Sequence, residues 1–111
     1  MTEAFRKEIV QRIVRNLLDL QILRLVEAQP MWGYRIKKEF ETKFHVKLRH
    51  GALYPLLKEM ELKGFLTSQK QQQGRRTRKV YAIAQRGREY IATYDSILKE
   101  QIQKQDIKSL A

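Results

Sequence analysis

Residues 50–84 read HGALYPLLKEMELKGFLTSQKQQQGRRTRKVYAIA. Leu53, Leu56, Leu57 and Met60 recur at helical spacing and predict a helix over about 50–63. Proline is tolerated in a first turn, where its missing N–H has no intrahelical partner to lose. Pro55 therefore puts the helix start at about Gly51 or Ala52. Gly64 stands where a helix C-terminus favours glycine. The β-prone FLTSQ and KVYAIA then flank a wholly polar KQQQGRRTR. That pattern predicts a hairpin over about 65–84 with a long, mobile loop at its tip.

Upstream, GYRIKKEFETK predicts a preceding helix from Gly33 to about Lys43. Tyr34, Ile36 and Phe40 are its apolar residues, and Lys37 and Lys38 lie off that face. FHVKL, residues 44–48, alternates and suits a short extended connection. Residues 3–28 are helical, ended by Pro30, and Phe5, Ile9, Ile13 and Leu17 make one apolar face. Asn16 followed by Asp19 resembles a capping box, so a break is expected there. Leu18, Ile22, Leu25 and Val26 of the second piece should enter the core. Downstream, residues 86–108 return to helical periodicity, with Ile91, Tyr94, Leu98 and Ile102 in a stripe and Ile97 beside it. The expected fold is mainly α with a small β hairpin: a winged helix-turn-helix flanked by terminal helices.

The length of 111 residues suits one small domain, and a hydrophobic content of 42% argues against disorder. The net charge of +11 calls for an anionic partner, nucleic acid or membrane. No stretch approaches the roughly 18 apolar residues of a membrane span, and the N-terminus lacks a signal-peptide core. A soluble, cytoplasmic, nucleoid-associated chain with no membrane partner is expected. The absence of cysteine removes disulfides, thiol catalysis and cysteine-ligated zinc. His45 and His50 straddle a helix start, and the acids are scattered among bases. Nothing resembles a nucleophile with its base, a phosphate loop or a metal cluster. No enzyme activity, cofactor or metal is expected.

The positive charge is better organised. Lys70, Arg75, Arg76, Arg78 and Lys79 fall within ten residues that hold no acid. At a hairpin tip directly after a helix-turn-helix, such a run can lie on phosphate or enter a minor groove while the preceding helix enters the major groove. That recognition helix offers Arg49, His50, Tyr54 and Lys58. The alternative is that Tyr54 packs on the wing and His50 merely caps. Tyr34, Lys37 and Lys38 complete the expected DNA-facing set.

The segments PMWGYRIKKEF, HGALYPLLKEMELKGFL and RKVYAIAQRG resemble the PadR family of winged-helix transcriptional regulators over roughly residues 16–90. The marks are Gly33-Tyr34, Gly51-Ala52-Leu53-Tyr54-Pro55-Leu56-Leu57, Lys63-Gly64 and Arg78-Lys79-Val80-Tyr81. The resemblance implies a homodimer built from the N- and C-terminal helices, and a recognition helix in the major groove of double-stranded DNA. Many members are repressors, and some are released by a small-molecule effector. Three departures stand out: Trp32 for a frequent His, Arg49-His50 for Ser-Pro, and Ala84 for a helix-opening Thr.

The expected division is an N-terminal dimerisation helix over 1–15, the DNA-binding domain over 16–85 and a C-terminal dimerisation helix over 86–111. Ile91, Tyr94, Leu98 and Ile102 are expected to form a dimer seam with Phe5, Ile9 and Ile13. Trp32 is expected to be a buried structural residue rather than part of an effector pocket. The expected function is a sequence-specific regulator that represses from a pseudo-palindromic operator. The alternative is a sequence-indifferent protein that coats the chromosome.

Overall fold

The computed structural model describes residues 2–102, over which five helices surround a small three-stranded antiparallel sheet. Helix α1 (Glu3–Asn16) is opened by Thr2, whose hydroxyl accepts the Phe5 N–H at 3.2 Å. Leu17 breaks the stretch with φ −114 and ψ 40, and α2 (Leu18–Ala28) follows. The expected capping box does not form, because Leu17 rather than Asn16 is the cap. Asp19 instead accepts the Leu20 N–H at 2.8 Å and the Tyr90 hydroxyl at 2.7 Å. Donating to that carboxylate, and partial burial, push the Tyr90 phenol up to about 12. With the Arg24–Asp95 ion pair, this bond ties α2 to the last helix, α5 (Gln85–Ile102).

Met31–Trp32 forms a two-residue strand, β1, which no sequence pattern announced. It runs straight into α3 (Gly33–Phe44), which ends at His45 in the left-handed region with φ 56. The connection to α4 (His50–Leu62) buries Val46 and Leu48. Helix α4 starts at His50, so Pro55 lies beyond its first turn and leaves the Gly51 carbonyl without its usual donor. Gly64, at φ 82, closes the helix: Phe65 N–H reaches the Met60 carbonyl at 2.9 Å and Gly64 N–H that of Glu61 at 3.0 Å.

Strands β2 (Leu66–Gln73) and β3 (Arg76–Ile83) form the hairpin, and β3 is central, in the order β1-β3-β2. The long loop expected at the tip does not exist. Pairing continues from Leu66↔Ile83 to Gln73↔Arg76, and only Gly74 and Arg75 turn the chain. Gly74 has φ 60 while Arg75 does not share a positive φ, which suits a two-residue hairpin turn with glycine first. Water bathes both faces of the tip, so its strands carry no apolar alternation from which they could be recognised.

The core gathers Leu20, Ile22, Leu23, Val26, Ile36, Phe40, Val46, Leu53, Leu57 and Leu66, all but inaccessible to water. Leu18 and Leu25 are only half-buried at its margin. Ile91 corrects the expected seam: it is buried in this same core, and Tyr94 and Leu98 pack half-buried against it. Helix α5 is held face-down on α2, so most of that stripe is spent within the chain. The side chain of Ile102 and the helix expected over 103–108 lie outside the described residues.

Gly87 is where α5 presses on the start of β2. An alanine methyl there would lie 2.3 Å from the Phe65 carbonyl oxygen. Helix propensity alone favours Ala over Gly by about 1 kcal/mol. Overlap with backbone should outweigh that, at about 1–3 kcal/mol. Gly87→Ala is therefore expected to lower Tm, and calorimetry showing a rise would contradict this packing.

Candidate nucleic-acid interface

Helices α3 and α4 meet at one close contact. A Cβ on Gly33 would stand 2.7 Å from the Tyr54 ring and hydroxyl, so the ring occupies the space that glycine leaves. Tyr54 is accordingly half-buried and does not project freely from α4. The His50 ring also meets that of Tyr54, with centroids 4.2 Å apart. His50 does not cap the helix: α4 has no side-chain cap bond, and Arg49 occupies the cap position. Arg49, His50 and Lys58 are exposed. The expected line of His50, Tyr54 and Lys58 therefore survives at its two ends, with Tyr54 withdrawn between them.

The wing cations differ more than their charge suggests. On the sheet face towards α4, Glu61 accepts from the Ser68 hydroxyl and meets Lys79 Nζ at 3.4 Å. The Ser68 bond and Lys79 hold this carboxyl below its ordinary 4.5, against the opposing push of burial. Lys79, expected to face DNA, is thus paired with an acid of α4. On the opposite face, the Arg78 guanidinium lies 3.6 Å from the centre of the Trp32 ring. Lys70, Arg75 and Arg76 are exposed and have no ion pair among the described residues.

Trp32 is the residue that pattern reading misplaced. It is half-buried, not enclosed. Its ring lies 5.2 Å from that of Tyr34, over which Lys38 Nζ stands at 5.6 Å. Tyr34 is 49% exposed, so Tyr34 and Lys38 form the outer part of a stack reaching from α3 to the wing. Lys37 is half-buried beside them. Arg35 and Lys43 both bind Glu39, at 2.9 and 3.2 Å, and hold its carboxyl low. A cleft of about 300 Å3 lies between α4 and β3, lined by Trp32, Gly33, Tyr54, Thr77, Arg78, Lys79 and Tyr81.

No acid interrupts the chain between Glu61 and Glu89, a span that holds the whole hairpin and eight lysines and arginines. The arrangement can grip a polyanion. No group of three or more His, Asp or Glu stands close enough to hold a metal ion among the described residues, and none of their helices is long and apolar enough to cross a membrane.

Among known proteins, the sequence matches the Transcriptional regulator PadR-like family over residues 22–93. No curated protein sequence matches it. A PadR-like transcription factor from Bacteroides fragilis has a similar structure, with TM-score 0.76 over 94% of this chain and 99% of that one. At 18% identity that likeness is one of fold. A PadR family transcription regulator from Clostridium difficile is 25% identical, with TM-score 0.68 over 84% of this chain and 97% of that one. Bacillus subtilis PadR, solved in complex with operator DNA, is 27% identical with TM-score 0.64 over 70% of this chain and 46% of that one.

The bridge from Glu61 to both wing strands gives an acid-dependent term. Its carboxyl titrates lower in the folded state than in the unfolded one. The stabilisation is therefore full above the unfolded value of about 4.5 and is lost as pH falls through the folded one. Glu61→Gln should lower Tm at neutral pH, and the gap to wild type should close as pH falls below about 4.5. A gap independent of pH would show that the bridge contributes nothing to stability.

Proposed function

The chain belongs to the PadR-like family of transcriptional regulators, and from that premise we propose that it binds a pseudo-palindromic operator in duplex DNA as a homodimer and represses transcription there. The observation that carries the reading is the hairpin: exposed Arg75 and Arg76 at a tight tip, on an acid-free wing that stands beside α4. In the proposed complex α4 enters the major groove with Arg49, His50 and Lys58 leading. The wing tip holds phosphate or the neighbouring minor groove. Lys37, Lys38 and Tyr34 contact backbone from α3. A two-fold dimer would place two such helices on half-sites about 34–36 Å apart.

Support for the dimer is the apolar face of α1. Phe5, Ile9 and Ile13 are 50%, 40% and 48% exposed, and Ile97 on α5 is 50% exposed. The radius of gyration is 16.3 Å, against about 13 Å for a compact chain of 100 residues. Such a drawn-out chain leaves apolar surface that a second copy would cover. With Ile91 buried inside, Ile97 takes its place in the proposed seam.

One observation favours the second reading, a sequence-indifferent coating protein. With Tyr54 withdrawn onto Gly33, few long side chains are left on α4 to read base edges, whereas phosphate contacts alone can supply non-specific affinity. Titration of a promoter fragment that the protein occupies in genomic footprinting, against a scrambled duplex, separates the two. A regulator should prefer the promoter by about a thousandfold or more, and a ratio near one selects the coating reading.

Two further outcomes are expected. The Arg75→Gln, Arg76→Gln double variant should weaken DNA binding and flatten the slope of log K against log salt by about 0.9 for each phosphate it no longer neutralises. An unchanged slope would remove the tip from the interface. Ile9→Lys with Ile13→Lys should sediment as a monomer at concentrations where wild type is a dimer, and should lose most of its operator affinity. A dimer surviving both substitutions would place the seam elsewhere.

A further inference from the structure

Trp32 is the only tryptophan in the chain, and its partner is set by the register of the sheet. Trp32 pairs with Val80 across β1 and β3. Side chains two apart on a strand share a face, so Arg78 is the diagonal neighbour of Trp32. Its guanidinium carbon lies 3.6 Å from the ring centre, the distance of a face-on stack. The other contact of the indole is the Tyr34 ring at the head of α3, 5.2 Å away.

A guanidinium carries its five N–H donors in its plane. Stacking uses the face and leaves the edge. Among the described residues, Arg78 has no ion pair and no side-chain hydrogen bond. Arg78 is only half-buried, so part of it remains open to solvent. The wing cations thus fall into three states. Lys79 is neutralised by Glu61, Lys70, Arg75 and Arg76 are exposed and unheld, and Arg78 is held but not neutralised.

We infer that Trp32 is a positioning residue for DNA binding, which stacks Arg78 so that its donor edge is aimed at a backbone phosphate before DNA arrives. The inference rests on the wing being a DNA contact, as proposed above. A preorganised fork loses less side-chain freedom on binding than a free arginine does. Bidentate contact with phosphate also needs the plane fixed, which a lysine at the same position could not provide.

The test is a double-mutant cycle on affinity for the promoter duplex, measured over a range of salt. Trp32→Leu removes the platform, and Arg78→Lys keeps the charge but not the planar stack. Each is expected to weaken binding roughly three- to tenfold, as removal of a cation–π interaction would. The double variant is expected to bind no more weakly than either single one. Trp32→Leu should keep the wild-type salt slope, because the phosphate contact persists, whereas Arg78→Gln should flatten it by about 0.9. Trp32→Phe should recover part of the affinity.

A merely structural tryptophan gives a different pattern: a lower Tm and affinity losses that multiply in the double variant. Multiplying losses, or a Trp32→Leu variant of wild-type affinity, overturn the inference. The salt slopes tell its failure from that of the wing reading. If the Arg75, Arg76 variant flattens the slope and Arg78→Gln does not, the positioning role alone falls. If neither variant changes the slope, the wing is off the DNA and both fall.

Discussion

The contact on which the candidate interface depends is that of the Tyr54 ring with the bare backbone of Gly33. Two helices can approach this closely only where one offers no side chain. The contact fixes α4 against the start of α3, and Gly33 follows Trp32 directly. The same point therefore fixes β1, which pairs with β3 and so locates the wing. An error at Gly33 would move α4 and the hairpin together. Gly33 and Tyr54 are far apart in sequence, and both are marks of the family resemblance. The structure shows them to be one packing unit. It also explains why Tyr54, on the outward-looking line of α4, is half-buried.

The wing is secured on both of its faces, by different physics. Towards α4 the hold is ionic: one carboxylate, Glu61, reaches Ser68 on β2 and Lys79 on β3. On the opposite face it is a stack of Arg78 on Trp32. The first weakens in acid, as Glu61 takes up its proton. Beyond these two holds the hairpin has only its own ladder. Its tip is set by the tight turn at Gly74 rather than by packing. A stiff base with a cationic end would suit the proposed contact, which must adapt locally to a phosphate backbone while keeping its overall angle.

What the sequence disclosed depended on the range over which each feature is determined. Helices α3 and α4 were legible because their apolar residues repeat within a turn, and Gly64 because a helix end is a local event. The strand β1 is two residues long, and its pairing partner lies some fifty residues on, so no window contains it. The hairpin tip was mistaken for a loop because strands wet on both faces carry no alternation. Asp19 suggested a cap from its spacing, yet its carboxylate serves Tyr90, a partner 71 positions away. Ile91 lay on a correctly read stripe, but periodicity gives a face and not what covers it. Of the site, residue type was legible and state was not: all the wing cations look alike in one dimension.

The difference between type and state extends to the charge itself. A net charge of +11 says that anions are attracted, and a coating protein and a regulator would share it. What separates them is how many cations are aimed before DNA arrives. Free lysines and arginines contribute mainly through counterion release, whatever the sequence beneath them. A cation whose plane is already set favours one position of the backbone, and so one register of the helix beside it. In this chain the held cation, Arg78, stands on the third rung from the tip, and the unheld Arg75 and Arg76 stand at the tip itself. Under the proposed positioning of Arg78, the tip would supply attraction and the held cation register, and a sparse α4 would owe part of its discrimination to one indole ring outside it.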